Sequence, residues 1–190
     1  MTTTITIDKQ FRNLWRACAR DDSRPVLAAI YIDPAGKAVA SSGYILAVVP
    51  AAISGDPLPE SGVLIGADLW LLSLRCSKGD VVVTFDGAQN ITAGGGDLNV
   101  SGSRVIGTYP NWRNLLESAA IKDGDHGLVA FQPQLAATLA AALGVDMPIL
   151  RIGATSTSPL WMYAGEGTGI IMPMAVSPET WADALAEVSK

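Results

Sequence analysis

The sequence contains few of the residues from which metal and redox sites are built. Its 190 residues include only two cysteines and one histidine. Cys18 and Cys76 are too few for a disulfide framework or a zinc quartet. His126 has neither a second histidine nor a cysteine near it in the sequence, so we predict no metal site and no cofactor. We interpret His126 as a solvated linker residue.

Motifs of common enzyme classes are also missing from the sequence. The glycine clusters Gly94-Gly95-Gly96 and Gly165-Glu166-Gly167 lack the lysine and the serine or threonine of a phosphate-binding loop, and they predict hairpin turns. No serine lies in a Gly-x-Ser-x-Gly elbow. Asp21 and Asp22 are adjacent, so their carboxylates face apart. We therefore expect that the protein is not an enzyme.

No hydrophobic run is long enough to span a membrane, and the first residues contain no apolar signal core. Hydrophobic residues make up 49% of the chain and charged residues 16%, which allows a sizeable core. The net charge of −5 argues against general coating of nucleic acid and against binding to an anionic membrane. We expect a cytoplasmic protein in which any contact with DNA is local.

Positive charge is scarce overall but concentrated near the N-terminus. The chain has 13 Lys and Arg residues against 18 Asp and Glu residues. Four cations recur at intervals of three or four, which predicts one basic face on an α-helix over Lys9–Arg20, with Asp8 as its N-cap. These cations are Lys9, Arg12, Arg16 and Arg20. The apolar residues that fall on the opposite face are Phe11, Leu14, Trp15 and Cys18. A basic face with no acidic residue favours a polyanionic ligand, although an ordinary surface helix also needs a charged face.

The order strand, helix and three strands occurs three times, in units of about 50 residues. Unit one has strands at Thr2–Ile7, Val26–Ile32, Lys37–Ser41 and Tyr44–Val49 around the basic helix. Unit two follows a linker, Ala51–Gly62, and has Val63–Ile65, the helix Asp68–Cys76, Asp80–Phe85, Ala88–Ala93 and Leu98–Gly107. Unit three follows Tyr109–Asp125, which is polar and irregular at its end, and has Gly127–Phe131, the helix Pro133–Leu143, Met147–Gly153, Pro159–Ala164 and Thr168–Met174. A tail helix is predicted at Pro178–Val188. These patterns predict an α+β protein of three βαβββ units with antiparallel sheets, and repeats that cannot bury their own face must pair or stack.

Three stretches of the sequence resemble the bacterial DNA polymerase III beta sliding clamps. Residues 39–48, V-A-S-S-G-Y-I-L-A-V, following R-P-V-L-A-A-I at 24–30, are similar to V-A-T-D-G-H-R-L-A-V in the clamp's middle domain. Residues 107–113, G-T-Y-P-N-W-R, are similar to the G-x-F-P-D-Y-R that closes that domain, and residues 169–174, G-I-I-M-P-M, resemble Y-V-x-M-P-M near the family's C-terminus. The family's His and Arg are replaced by Tyr44 and Ile45, and its terminal Arg-Leu by Ala175 and Val176. The resemblance covers residues 1 to about 176.

The resemblance implies a compact, atypical, plasmid- or phage-borne clamp with the DNA-clamp fold, its helices on one face of antiparallel sheets. It implies a complete domain at 1–118 (units 1–55 and 60–116), a half-domain at 125–176 and a helical tail at 177–190. Its implied function is that of a processivity factor for DNA replication, which encircles double-stranded DNA in the nucleoid and tethers a DNA polymerase and clamp-loader peptides. A family ring contains twelve units, so three units per chain predict a homotetramer with D2 symmetry, in which third units pair isologously.

The resemblance also implies two binding sites. The DNA-binding residues are the four cations of the basic helix together with Arg75 and Lys78 of the second helix. The peptide pocket maps onto Leu27, Ser41, Gly43, Tyr44, Ile45 and Leu46 from unit one and onto Thr157, Met172, Pro173 and Met174 from unit three. Methionine is adaptable and suits a pocket with several partners, although Met172 and Met174 could instead end a buried strand. The tail caps this pocket, covers an exposed sheet edge or packs on the outer surface.

Two other functions fit parts of the sequence. A clamp-like scaffold that binds clamp-interacting peptides without encircling DNA needs the pocket but no basic face. A nonspecific DNA-binding protein needs the basic face but no pocket.

Overall fold

The computed structural model describes residues 2–21, 23–76, 78–95, 98–118, 131–152 and 158–174. Two antiparallel sheets, of five and seven strands, organise the described residues. The strands of unit one are β1 (Thr3–Ile7), β2 (Ala29–Asp33), β3 (Lys37–Ser41), β4 (Ile45–Pro50) and β5 (Ala52–Gly55). Those of unit two are β6 (Val63–Gly66), β7 (Val81–Phe85), β8 (Asn90–Gly95) and β9 (Leu98–Ser103), and those of unit three are β10 (Ile149–Arg151), β11 (Leu160–Ala164) and β12 (Gly167–Ile171). The α-helices are α1 (Ala67–Cys76), α2 (Trp112–Ser118) and α3 (Pro133–Leu143).

Units one and two exchange their first strands. The five-stranded sheet has the order β5-β1-β7-β8-β9, so the first strand of unit one lies in the sheet of unit two. The seven-stranded sheet has the order β10-β11-β12-β4-β3-β2-β6, so the first strand of unit two lies beside β2. The same sheet continues into unit three, because β12 pairs antiparallel with β4 from Thr168 opposite Val48 to Ile171 opposite Ile45. Units one and two therefore each supply a strand to the other, and unit three extends the sheet of unit one.

The seven-stranded sheet is covered on both faces. Along β4, Ile45, Ala47 and Val49 belong to the main core, whereas Leu46 and Val48 belong to a second cluster on the opposite face. This alternation follows from the two-residue period of a strand. The main core contains the helical side chains Phe11, Leu14, Trp70, Leu139 and Leu143, and the second cluster, here called the outer cluster, is covered by α2.

The continuous α-helix predicted at Lys9–Arg20 is wrong. Its place is taken by two 3-10 segments, Lys9–Phe11 and Leu14–Ala17, and the chain is extended at Cys18. In an α-helix the carbonyl of Arg12 would accept the amide of Arg16. Here the Arg12 carbonyl accepts the Trp70 indole Nε1 at 2.9 Å, and the Arg16 amide bonds instead to Asn13 at 2.9 Å. A tertiary hydrogen bond has therefore replaced a helical one.

Two elements lie in stretches for which no helix or strand was predicted. The predicted linker contains β5, which pairs with β1, and the stretch after Tyr109 contains α2, whose Asn114 amide bonds to the Asn111 side chain at 3.1 Å. Helix α2 covers the face of the sheet opposite α3, so the helices are not all on one face. The turn between β7 and β8 spans four residues, because β7 ends at Phe85 and β8 begins at Asn90.

The other predicted helices agree well with the structure, since α3 has the predicted bounds and α1 begins one residue earlier than predicted. The strand predicted at Val26–Ile32 begins only at Ala29. The tail helix, His126 and all but the last residue of the strand predicted at Gly127–Phe131 lie outside the described residues. No helix within the described ranges is long and apolar enough to cross a membrane.

Candidate nucleic-acid surface and peptide cleft

Arg12 is committed to contacts inside the protein. Its Nη1 donates to the carbonyl of Lys78 at 2.8 Å and its Nη2 to the carbonyl of Leu74 at 3.1 Å. These carbonyls are at and just beyond the C-terminal turn of α1, where unpaired carbonyls and the negative end of the helix dipole favour a cation. Arg12 is accordingly only partly exposed.

The other predicted DNA-binding residues are exposed. Lys9 begins the first 3-10 segment, and its amide bonds to Asp80 Oδ1 at 2.9 Å. The Arg16 guanidinium lies 5.4 Å from the centre of the Trp15 ring. Arg20 follows the second 3-10 segment, and Arg75 and Lys78 are at and beyond the end of α1. The structure thus places Arg12 and Lys78 together at the end of α1. Arg16 and Arg20 line a different part of the surface, a cleft that does not include Arg12 or Lys78.

Arg16 and Arg20 line a surface cleft of about 320 Å³ together with Arg24. This arginine cleft lies between units one and three, because its other walls include Tyr44 from unit one and Thr138 from α3. Arg24 forms an exposed ion pair with Asp21 at 2.7 Å, and its hydrogen bond lowers the pKa of the Asp21 carboxyl. Arg24 was not among the predicted DNA-binding residues, because it lies beyond the stretch in which cations recur at helical intervals.

The predicted pocket residues of units one and three meet at the end of β12. The Met172 amide donates to the Tyr44 carbonyl at 2.9 Å. The turn that presents Tyr44 is fixed from within: Ser41 Oγ donates to the Ile45 carbonyl at 2.8 Å and accepts the Gly43 amide at 3.1 Å. Gly43 has φ of +89°, a backbone conformation that glycine adopts without strain. The turn is formed by S-S-G-Y-I at 41–45, the stretch that was compared with T-D-G-H-R above, and both contain the glycine.

The predicted pocket residues do not all lie on one surface. Leu27, Leu46 and Met172 belong to the outer cluster or pack against it, whereas Ile45 belongs to the main core. Ser41 is buried, Pro173 is half-buried and Gly43 is exposed. Tyr44 and Met174 are 61% and 48% exposed. Thr157 lies outside the described residues. The accessible apolar surface therefore consists of Tyr44, Met172 and Met174, whereas Leu27 is partly buried against the outer cluster.

Helix α2 adjoins this surface and was missed in the sequence. Its side chains Trp112, Leu115 and Leu116 pack against the same outer cluster as Leu27 and Met172. The sequence signal was the asparagine N-cap followed by two leucines. Arg113 of α2 anchors the helix through Nη2, which lies 2.6 Å from Oδ1 of the buried Asp33.

A tyrosine pair fixes the segment that leads into α2. The rings of Tyr31 and Tyr109 stack with their centres 5.0 Å apart. Burial raises the pKa of both phenols, and the charge of Asp33 raises that of Tyr31 further. Both tyrosines therefore stay neutral at physiological pH. Within the described ranges, no three His, Cys, Asp or Glu residues are grouped so that they could hold a metal ion.

Comparison with known proteins gives structural matches only. No protein-family model and no curated protein sequence matches the chain. The DNA polymerase III subunit beta of Borrelia burgdorferi, solved with a natural product, superposes with a TM-score of 0.64 and 12% identity, over 92% of this chain and 64% of that one. The Helicobacter pylori beta clamp bound to a DNA ligase peptide gives a TM-score of 0.65 and 13% identity, over 90% and 66%. The Bartonella birtlesii sliding clamp bound to griselimycin gives a TM-score of 0.60 and 18% identity, over 91% and 66%.

These matches define the class of fold. The chain has the fold of the bacterial DNA polymerase III beta sliding clamps, which confirms the resemblance seen in the three sequence stretches. The chain spans just under two thirds of the length of the solved clamps that it matches.

Proposed function

We propose that the protein is a DNA sliding clamp, a processivity factor that tethers partner proteins to double-stranded DNA and is not itself an enzyme. The observation that carries the proposal is the joint between β4 and β12, because it brings the Tyr44 turn and the end of β12 into one apolar surface. Helicobacter pylori beta clamp has been solved with a DNA ligase peptide. By analogy, we assign the surface of Tyr44, Met172 and Met174 to short apolar peptides of a polymerase or clamp loader.

The expected test of the peptide site is direct. Tyr44→Ala should weaken binding of a clamp-interacting peptide, measured by fluorescence anisotropy, while leaving the melting temperature unchanged, because the Tyr44 side chain is largely exposed. Leu72→Ala, an exposed apolar residue on α1, is the matched control. Equal peptide affinity in the wild type and the Tyr44 variant would refute this assignment.

We further propose that the protein encircles DNA as a ring of four chains in the nucleoid. This proposal keeps the domains at 1–118 and 125–176, with twelve units per ring. Arg16, Arg20 and Lys9 are exposed and suited to phosphate contacts, which position a protein on DNA without reading its sequence. Such contacts weaken as salt rises. A ring should remain on closed circular DNA and slide off the linear form, measured by gel filtration after cleavage of the circle.

A second function is favoured by one observation. Arg12 is used to hold the end of α1, and the chain around it forms two short 3-10 segments instead of one basic helix. The basic surface is therefore smaller than expected, which favours a clamp-like scaffold that binds peptides without encircling DNA. A stable monomer with peptide affinity and no retention on circular DNA would establish this alternative.

A further inference from the structure

An exposed apolar stretch lies at the outer end of unit three. Met147 and Ile149 are 91% and 71% exposed, and Leu150 and Ile152 are 42% and 39% exposed. These four are among only nine large hydrophobic side chains that are exposed in the described part of the chain. Because successive side chains of a strand point to opposite faces, this stretch exposes apolar side chains on both faces of the sheet edge, which is typical of an edge that a partner covers.

The other two units show what covers the equivalent position. The first strand after the helix is β2 in unit one, β7 in unit two and β10 in unit three. Strand β2 is paired by β6, with Ile30 opposite Ile65, and β7 is paired by β1, with Val83 opposite Ile5. Each of these two units thus supplies a strand to the other.

Burial follows this pairing. All five residues of β2 are buried, and those of β7 alternate between buried and half-buried. All three residues of β10 are exposed, and no described strand follows β10 in the sheet order. The opposite edge of unit three is already used, because β12 pairs with β4. The described part of unit three therefore has the helix and three strands that units one and two also contain, but no neighbouring unit pairs with β10 among the described residues.

We propose that this surface, Met147–Ile152, binds unit three of a second copy of the chain. The two third units are related by a local two-fold axis, as units one and two are within the chain, and together they form a complete two-unit domain. A second copy is the occupant because the missing neighbour has the architecture of this same unit and a two-fold contact needs only one kind of surface.

Other strand edges are less suitable for this contact. The free side of β6 is already bonded through the Val105 amide to the Leu64 carbonyl at 3.0 Å. Strand β9 is mostly polar, with Leu98 as its exposed hydrophobic residue. The inference rests on the proposed ring for the number of chains, whereas the contact itself is argued from the repeat.

Ile149→Lys tests the contact, because a charge would have to be buried without a partner. The solution mass is measured by light scattering over a range of protein concentrations. The wild type should associate, whereas the variant should lose the contact between third units, so that the mass of a tetramer falls by half. Leu72→Lys is the matched control, since Leu72 is equally apolar, 43% exposed and distant in the sequence. An Ile149→Lys protein that keeps the wild-type mass would overturn the inference.

Hydrogen exchange of the unmodified protein provides a second measurement that does not depend on a variant folding. The amides of β10 should be protected at high protein concentration and exchange faster on dilution, whereas those of β3, which is paired on both sides, should not respond. An exchange rate at β10 that does not depend on protein concentration would also overturn the inference. If that rate were slow, it would indicate that another part of the same chain covers β10. A protein that associates through β10 but leaves circular DNA as fast as linear DNA would refute the proposed ring alone.

Discussion

Arg12 and Arg16 have the same charge and neighbouring positions in the predicted basic stripe, yet the structure gives them different roles. Arg12 donates two hydrogen bonds to carbonyls at the end of α1, at 2.8 and 3.1 Å. A hydrogen bond to a charged group contributes about 1.5–3 kcal/mol when it is buried. Since Arg12 is half-buried, we expect Arg12→Ala to lower the free energy of unfolding by about 1–3 kcal/mol in total.

Arg16 instead lies over the Trp15 ring and is exposed, a contact that contributes about 0.5–1 kcal/mol at most. Arg16→Ala should therefore change stability little. It should weaken DNA binding, and the slope of log affinity against log salt concentration should fall by about 0.9 if one phosphate contact is lost.

The assay compares urea unfolding with DNA affinity at several salt concentrations for Arg12→Ala, Arg12→Lys and Arg16→Ala. Arg12→Lys keeps the positive charge but lacks the forked guanidinium group, whose two nitrogens donate to the two carbonyls. It should lose stability and keep the wild-type salt dependence. The reasoning fails if Arg12→Ala is as stable as the wild type, or if Arg12→Lys changes the salt slope as much as Arg16→Ala does.

Four further predictions concern packing and burial within the chain. Gly144 has φ of +68°, and a Cβ there would collide with the Gln10 carbonyl, so Gly144→Ala should destabilise the protein by at least about 1–2 kcal/mol in thermal unfolding. Asp33→Ala removes the ion pair that holds α2 and should cost about 1–3 kcal/mol, with faster proteolysis after Arg113 as the local signature. Burial raises the pKa of Cys18 from 9.0 to about 12, so a thiol reagent at pH 8 should label Cys76 and spare Cys18 in the folded protein. Because the unfolded thiol ionises first, the stability contributed by Cys18 should decline as the pH rises from about 9 towards 12, and Cys18→Ala should remove that decline. Wild-type stability in Gly144→Ala, unchanged proteolysis in Asp33→Ala or equal labelling of both thiols would contradict the respective prediction.

The strands and long helices were predictable because their signals are local. Lys37–Ser41 and Pro133–Leu143 have the predicted bounds, since turn residues, proline and glycine mark their ends. The three clamp-like stretches also predicted the fold that the structural matches confirm. Strand β5 was missed because it has only four residues, is mostly exposed and pairs with β1 alone.

The basic stretch shows where local reasoning fails. The spacing from Lys9 to Arg20 predicts an α-helix. In the structure, however, the Arg12 carbonyl accepts a hydrogen bond from the indole of Trp70, which lies 58 residues away in the sequence. No periodicity in the first 20 residues contains that information. The same applies to the outer cluster, where α2 and Leu27 come together with Met172 only because β12 extends the sheet of unit one.

Sequence reasoning alone predicted most of the strands, the helices α1 and α3, and the residues able to form a basic surface and an apolar one. These depend on period, turn chemistry and charge, which are properties of neighbouring residues. The tertiary structure alone decided that units one and two exchange strands, that Arg12 caps α1 and that β10 is left with exposed isoleucine and leucine side chains. These features depend on which edges and carbonyls meet across distant parts of the chain, and the hydrogen bonds available there outweigh the local preference for a helix.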